Sequence, residues 1–227
     1  MKAVWLAIAI AAAAPRLNGL VAQDVAVRLE GRVPPNVARA VQGIAQDAQA
    51  RGLPIEPLIQ KAIEGGAKGV PAERVIAAVQ QLSARLDEAR SALRDAGIQQ
   101  PTAEALESGA YGLSAGLNAR QVRDLGRVSQ PPYDPALTLR VAATLAALGV
   151  PPQRGLQLME HMIKAGRGPS DLLDLPSQVQ VEMARGATAA EAAEGLESGR
   201  GRQEGRGEHE HDQRGQHGEE GPPTRKP

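Results

Sequence analysis

The sequence predicts an all-α protein: helical hairpin repeats in a compact bundle or short α-solenoid-like array, followed by a disordered C-terminal tail. Three observations predict it. Aliphatic residues recur at four-three spacing along several stretches, the mark of helices that pack along one side. Between those stretches a glycine is followed by an aliphatic residue and then proline. No segment combines β-branched alternation with hairpin punctuation.

The 227-residue chain opens with Met1-Lys2 and then an unbroken apolar run over residues 3–14, interrupted by Pro15, Arg16 and Asn18. Twelve apolar residues rise roughly 18 Å in a helix, short of the ~30 Å hydrocarbon core. Residues 1–22 therefore read as a signal peptide rather than a membrane anchor. The preferred cleavage follows Leu20-Val21-Ala22, and a cut nearer Ala13 is the rival. The expected location is secreted or periplasmic.

Residues 23–196 read as the helical domain, with about seven to nine helices. Val37, Val41, Ile44 and Ala48 form a stripe over residues 34–51. From Pro71 onward Val75, Val79, Leu82, Leu86, Ala89, Leu93 and Ala96 make a longer seam, with Arg85, Asp87, Glu88, Arg90, Arg94 and Asp95 away from it. Asp134-Pro135 is an N-cap followed by proline and opens a helix with Leu137, Val141, Leu145 and Leu148 on one face. Asn118 with Gln121, and Thr188 with Glu191, have capping-box spacing and open two more. The side chains between helices are mostly Ala, Val, Leu and Ile, small enough for axes near the lower end of the usual ~8–10 Å range.

Gly52-Leu53-Pro54, Gly97-Ile98 with Pro101, and Gly149-Val150-Pro151 recur at intervals of 45 and 52 residues, a spacing typical of helical repeats. Residues 62–69 line up with 105–112, and 70–75 with 117–122 once four residues, 113–116, are treated as inserted. That alignment makes Glu64 and Glu107 equivalent. A degenerate third copy covers residues 156–172, and a half-copy lies at 32–37. Each unit reads as a short helix, a glycine turn and a longer helix. Glycine closes a helix through the left-handed conformation and proline opens the next, so the motif is punctuation rather than a phosphate-cradling loop.

In residues 197–227 hydrophobic side chains vanish, and Gly, Arg, Glu, Gln and His dominate. Such a segment buries too little apolar surface to offset the entropy of ordering it. Three of the four histidines are here, His209, His211 and His217, among acids. They are the candidate ligands for Zn²⁺, Ni²⁺ or Cu²⁺, with an affinity that falls as pH drops through the imidazole range near ~6.5.

Composition narrows the function further. Lys plus Arg equals Asp plus Glu at 26 each, which argues against a nucleic-acid partner. Cysteine is absent, so there are no disulfides, thiolate metal sites or cysteine nucleophiles. Loss of Trp5 with the leader leaves Tyr111 and Tyr133 as the aromatics, too few for stacking platforms or cages. His161 is the domain's one histidine; a second metal-protease His is missing and Gly-x-Ser-x-Gly does not occur. No cofactor is expected.

The reading is an exported, non-enzymatic helical-repeat protein acting as a binding or scaffolding module of the cell envelope. Its partner is an envelope protein or a cell-envelope polymer, met through Lys61, Glu64, Lys68 and Glu107. One alternative is a metal-buffering protein acting through its tail. Another is an envelope hydrolase without a recognisable motif.

Overall fold

The computed structural model describes residues 18–199, with side chains from residue 24 onward. The described residues form ten α-helices and no strand: α1 (Asn18–Leu29), α2 (Pro35–Ala50), α3 (Glu56–Ala67), α4 (Ala72–Asp95), α5 (Ala103–Ser114), α6 (Ala119–Val128), α7 (Pro135–Ala147), α8 (Pro152–Lys164), α9 (Pro169–Ala184) and α10 (Ala189–Glu197). Ten exceeds the seven to nine expected, and α1 starts before the expected domain boundary. The apolar leader over residues 1–17 and the tail over residues 200–227 lie outside the described residues. Residues 18–22 of the expected leader belong to α1. Cleavage after Ala22 would trim that helix, and cleavage nearer Ala13 would leave it whole.

The chain divides into two compact units between Ala84 and Arg85, inside α4. In the first, α1, α2 and α3 contact one another. Its core holds Val25 and Leu29 of α1, Val37 and Val41 of α2, Leu58 and Ile59 of α3, and Val79 of α4. Glycine permits one very close approach there. A Cβ on Gly66 in the last turn of α3 would stand 2.3 Å from the Arg32 carbonyl oxygen and 2.9 Å from a Val33 methyl. Across the same unit's surface, Arg28 donates two hydrogen bonds of 2.6 Å to the Glu56 carboxylate.

The second unit is organised around α7, which contacts α5, α6, α8 and α9. Being covered from several directions, α7 buries more than the single stripe expected of it. Val141 and Leu145 are buried as anticipated, Leu137 and Leu148 are half-buried, and Thr138, Leu139, Ala142 and Ala143 join the core. Small residues set the spacing. A Cβ on Gly109 of α5 would lie 2.9 Å from the Ala89 methyl, and one on Gly126 of α6 would lie 2.9 Å from that of Ala96. Along α4 the expected seam is buried at Val75, Val79, Leu86, Ala89 and Leu93, and half-buried at Leu82 and Ala96.

Each described helix except α6 is followed, two residues beyond its end, by a glycine with positive φ. At the α7–α8 joint Gly149 has φ 94°, donates to the Ala146 carbonyl at 3.0 Å, and lets Val150 donate to the Leu145 carbonyl at 3.0 Å. This is the paired closure of a Schellman motif, with Val150 buried as its apolar plug. The glycine–aliphatic–proline motifs after Arg51 and Leu148 both stop a helix; at the second Pro151 is also the N-cap of α8, whereas at the first Pro54 precedes α3 and Pro57 occupies its first turn.

The repeat alignment needs correction. α3 and α5 have 12 residues each, and each is closed two residues on by its glycine, Gly69 or Gly116. They align without the insertion at 113–116. Gly112, matched by sequence to Gly69, lies inside α5, where a Cβ would meet Leu117 at 3.3 Å. In the corrected register Glu64 stands opposite Tyr111 and Glu107 opposite Gln60, so the two glutamates are not equivalent. Where α4 runs for 24 residues, the matching stretch divides into α6 and α7. Pro131 and Pro132 explain the division, since each lacks an N–H and disfavours helix before it. Ser129 closes α6 instead, its hydroxyl lying 2.6 Å from the Leu125 carbonyl oxygen and 2.5 Å from the Thr138 hydroxyl.

Candidate functional site

The second unit carries a groove of about 550 Å³ between α8, α9 and α10. Its longest wall is α9. Pro169 starts that helix, and the Asp171 carboxylate accepts a 3.2 Å hydrogen bond from the Gly168 N–H, fixing the first turn. Leu172, Leu175 and Val179 then turn into the core. Asp171, Asp174, Gln178, Glu182 and Arg185 follow three- and four-residue steps and fall on the neighbouring stripe, which faces the groove. Leu175 sits at the border of the two stripes and gives the groove part of its floor.

α8 contributes His161, Met162 and Ala165 from its last turns. The next residue of the lining, Arg167, is held by its main chain: the Tyr133 hydroxyl donates to its carbonyl at 2.5 Å. α10 closes the far side with Leu196 and Glu197. Its start is fixed by a capping box, in which Glu191 N–H donates to the Thr188 hydroxyl at 3.2 Å and Thr188 N–H to the Glu191 carboxylate at 2.8 Å. Hydrogen bonds from the Thr188 hydroxyl and then its backbone hold the Glu191 carboxyl below its usual value. Arg154 of α8 reaches Glu194 at 3.8 Å and Glu197 at 3.9 Å, tying α10 to α8.

The accessible apolar lining is Met162, Val181 and Leu196, backed by the fully buried Leu175, and the remaining lining is mostly charged or polar. Four carboxylates, Asp171, Asp174, Glu182 and Glu197, face two guanidiniums, Arg167 and Arg185. Glu182 and Arg185 pair at 2.9 Å. Among the described residues the side chains of Asp174 and Arg167 have no partner, and both are therefore available to a ligand. Val181 is half-exposed. Such a lining can hold an apolar group and bias its flanks towards positive charge.

His161 is placed at this groove and is exposed. Lys61, Glu64 and Lys68 gather on α3 and the turn after it, where Lys61 lies 3.1 Å from Glu64 and Lys68 also pairs with it. The Lys68 and then the Lys61 hydrogen bonds hold the Glu64 carboxyl below its usual value. Two of those cations are thus already engaged by one anion. Glu107 is half-buried on α5, in the other unit. His209, His211 and His217 lie outside the described residues. Among the described residues no group of three or more His, Cys, Asp or Glu could hold a metal ion.

Sequence reasoning did not find the groove. Its one advance signal was the α9 stretch, where Asp171, Asp174, Gln178 and Glu182 keep helical spacing beside Leu175 and Val181. No known family, curated protein or solved structure matches the chain. Among the described residues no helix is long and apolar enough to cross a membrane.

Proposed function

We propose that the protein is an exported, non-enzymatic binding module that holds a protein of the cell envelope in the α8–α9–α10 groove. The groove itself carries the reading: a concave, largely apolar floor with a few placed charges is the usual form of a binding site. Binding is favoured over catalysis because the one imidazole at the groove, His161, makes no hydrogen bond to a carboxylate among the described residues. Export is supported by the positive start and the twelve-residue apolar run over residues 3–14.

The test places a photo-crosslinking amino acid at Val181, inside the groove, or at Arg140, an exposed position of α7 outside it. In the envelope fraction of the native host the Val181 probe yields one discrete adduct and the Arg140 probe does not. No adduct at Val181, or the same adduct from both probes, contradicts the reading.

A further inference from the structure

We infer that the occupant of the groove is a basic amphipathic helix of a partner protein, lying along α9 with its apolar face on Met162, Val181 and Leu196. This rests on the groove being the binding site and adds the chemistry of what it binds. Length is the first argument. The lining runs along α9 from Asp171 to Arg185, about 21 Å at 1.5 Å per residue. That matches roughly four turns of a docked helix.

Side-chain pattern is the second argument. A helix laid in a trough presents apolar residues at i, i+3, i+4 and i+7, and the groove offers accessible apolar side chains from all three of its helices, Met162, Val181 and Leu196, with Val181 half-exposed. Charge is the third. Four carboxylates against two guanidiniums leave the rim net negative; with Glu182 paired to Arg185 and Glu197 to Arg154 of α8, Asp171 and Asp174 remain against Arg167. Asp174 stands exposed without a partner among the described residues. A Lys or Arg flanking the apolar face satisfies it, and an acidic helix of the same pattern is repelled.

The experiment titrates the isotope-labelled full chain with a Leu/Lys peptide of about eighteen residues, apolar at i, i+3, i+4 and i+7. A Leu/Glu peptide of the same pattern is the control. The Leu/Lys peptide moves the amide or methyl signals of Met162, Leu175, Val181 and Leu196. Asp174→Lys weakens it roughly tenfold, Val181→Asp removes it, and higher salt weakens it in the wild type. Both positions are exposed enough for the variants to keep the fold.

Equal binding of the Leu/Glu peptide, an unchanged affinity in Asp174→Lys, or shifts outside the groove overturns the inference. So do groove signals that move without peptide, either on diluting the chain (a second copy is the occupant) or on changing Arg200, Arg202 and Arg206 to Glu (its own tail is). A Val181 photo-adduct that persists while the Leu/Lys peptide fails leaves the binding site standing and removes only the basic helix.

Discussion

Two glycine-to-alanine changes in the same unit should move stability in opposite directions. Gly43 and Gly66 both lie inside helices, α2 and α3. Replacing a helical glycine by alanine gains about 0.5–1 kcal/mol, because the unfolded chain loses freedom that glycine alone has. At Gly43 a Cβ meets nothing within 4 Å, so that whole gain is kept. At Gly66 the added carbon meets the Arg32 carbonyl oxygen at 2.3 Å, and that neighbour is backbone, which cannot rotate away. Overpacking of this kind costs about 1–3 kcal/mol, and so close a contact belongs at the upper end. The net expectation for Gly66→Ala is a loss of about 2 kcal/mol. Urea unfolding followed by far-ultraviolet circular dichroism reads both numbers. A Gly66→Ala chain as stable as the Gly43→Ala chain would refute the close approach of α3 to the turn after α1.

Other expectations follow from single observations. The Ser108 hydroxyl is buried with no hydrogen-bond partner in the structure, so Ser108→Ala should stabilise the protein by about 1 kcal/mol in the same assay; a loss would show that the hydroxyl is satisfied. The Asn118 side chain accepts the Gln121 N–H at 3.0 Å while the Asn118 N–H donates to the Gln121 side-chain oxygen at 3.0 Å, and Asn118→Ala should cost about 1 kcal/mol. The Glu56 carboxyl is lowered to about 2, first by the Arg28 hydrogen bonds and then by that of Gln60. Because the unfolded chain binds this proton more readily, its contribution is complete above the ordinary carboxylate range and is lost as pH falls from there towards about 2. Glu56 is 53% exposed, so solvent screening holds the contribution below about 1 kcal/mol. Arg28→Ala should flatten the stability profile in that window, and an unchanged profile would remove the pair from the account.

The helices were legible where one physical cause dominated. The Val75 to Leu93 seam, the Asn118 and Thr188 caps and the Gly149 joint each depend on residues within one or two turns, and each is found where the spacing puts it. What failed depended on neighbours distant in sequence. Gly112 and Gly116 look interchangeable as letters; from inside α5 a Cβ on Gly112 would face Ala143 of α7 at 3.8 Å, while φ of 106° makes Gly116 a helix end. α7 buries several faces because four helices surround it, a fact absent from its own pattern. The groove has the same character. Asp174 and Val181 are ordinary exposed residues of α9 until α8 and α10 rise on either side. Ion pairing within one stretch also hid a point about charge: Lys61 and Lys68, read as partner-facing cations, are held by Glu64 between them.

The functional account depends most directly on α8, α9 and α10 meeting around one apolar floor. Methyl-selective nuclear Overhauser spectra of the full chain test this arrangement. They should connect the Leu196 methyls of α10 to Met162 of α8 and to the Leu175 or Val181 methyls of α9. An α10 whose methyls show contacts to neither helix would contradict the groove, and the proposed binding function would go with it.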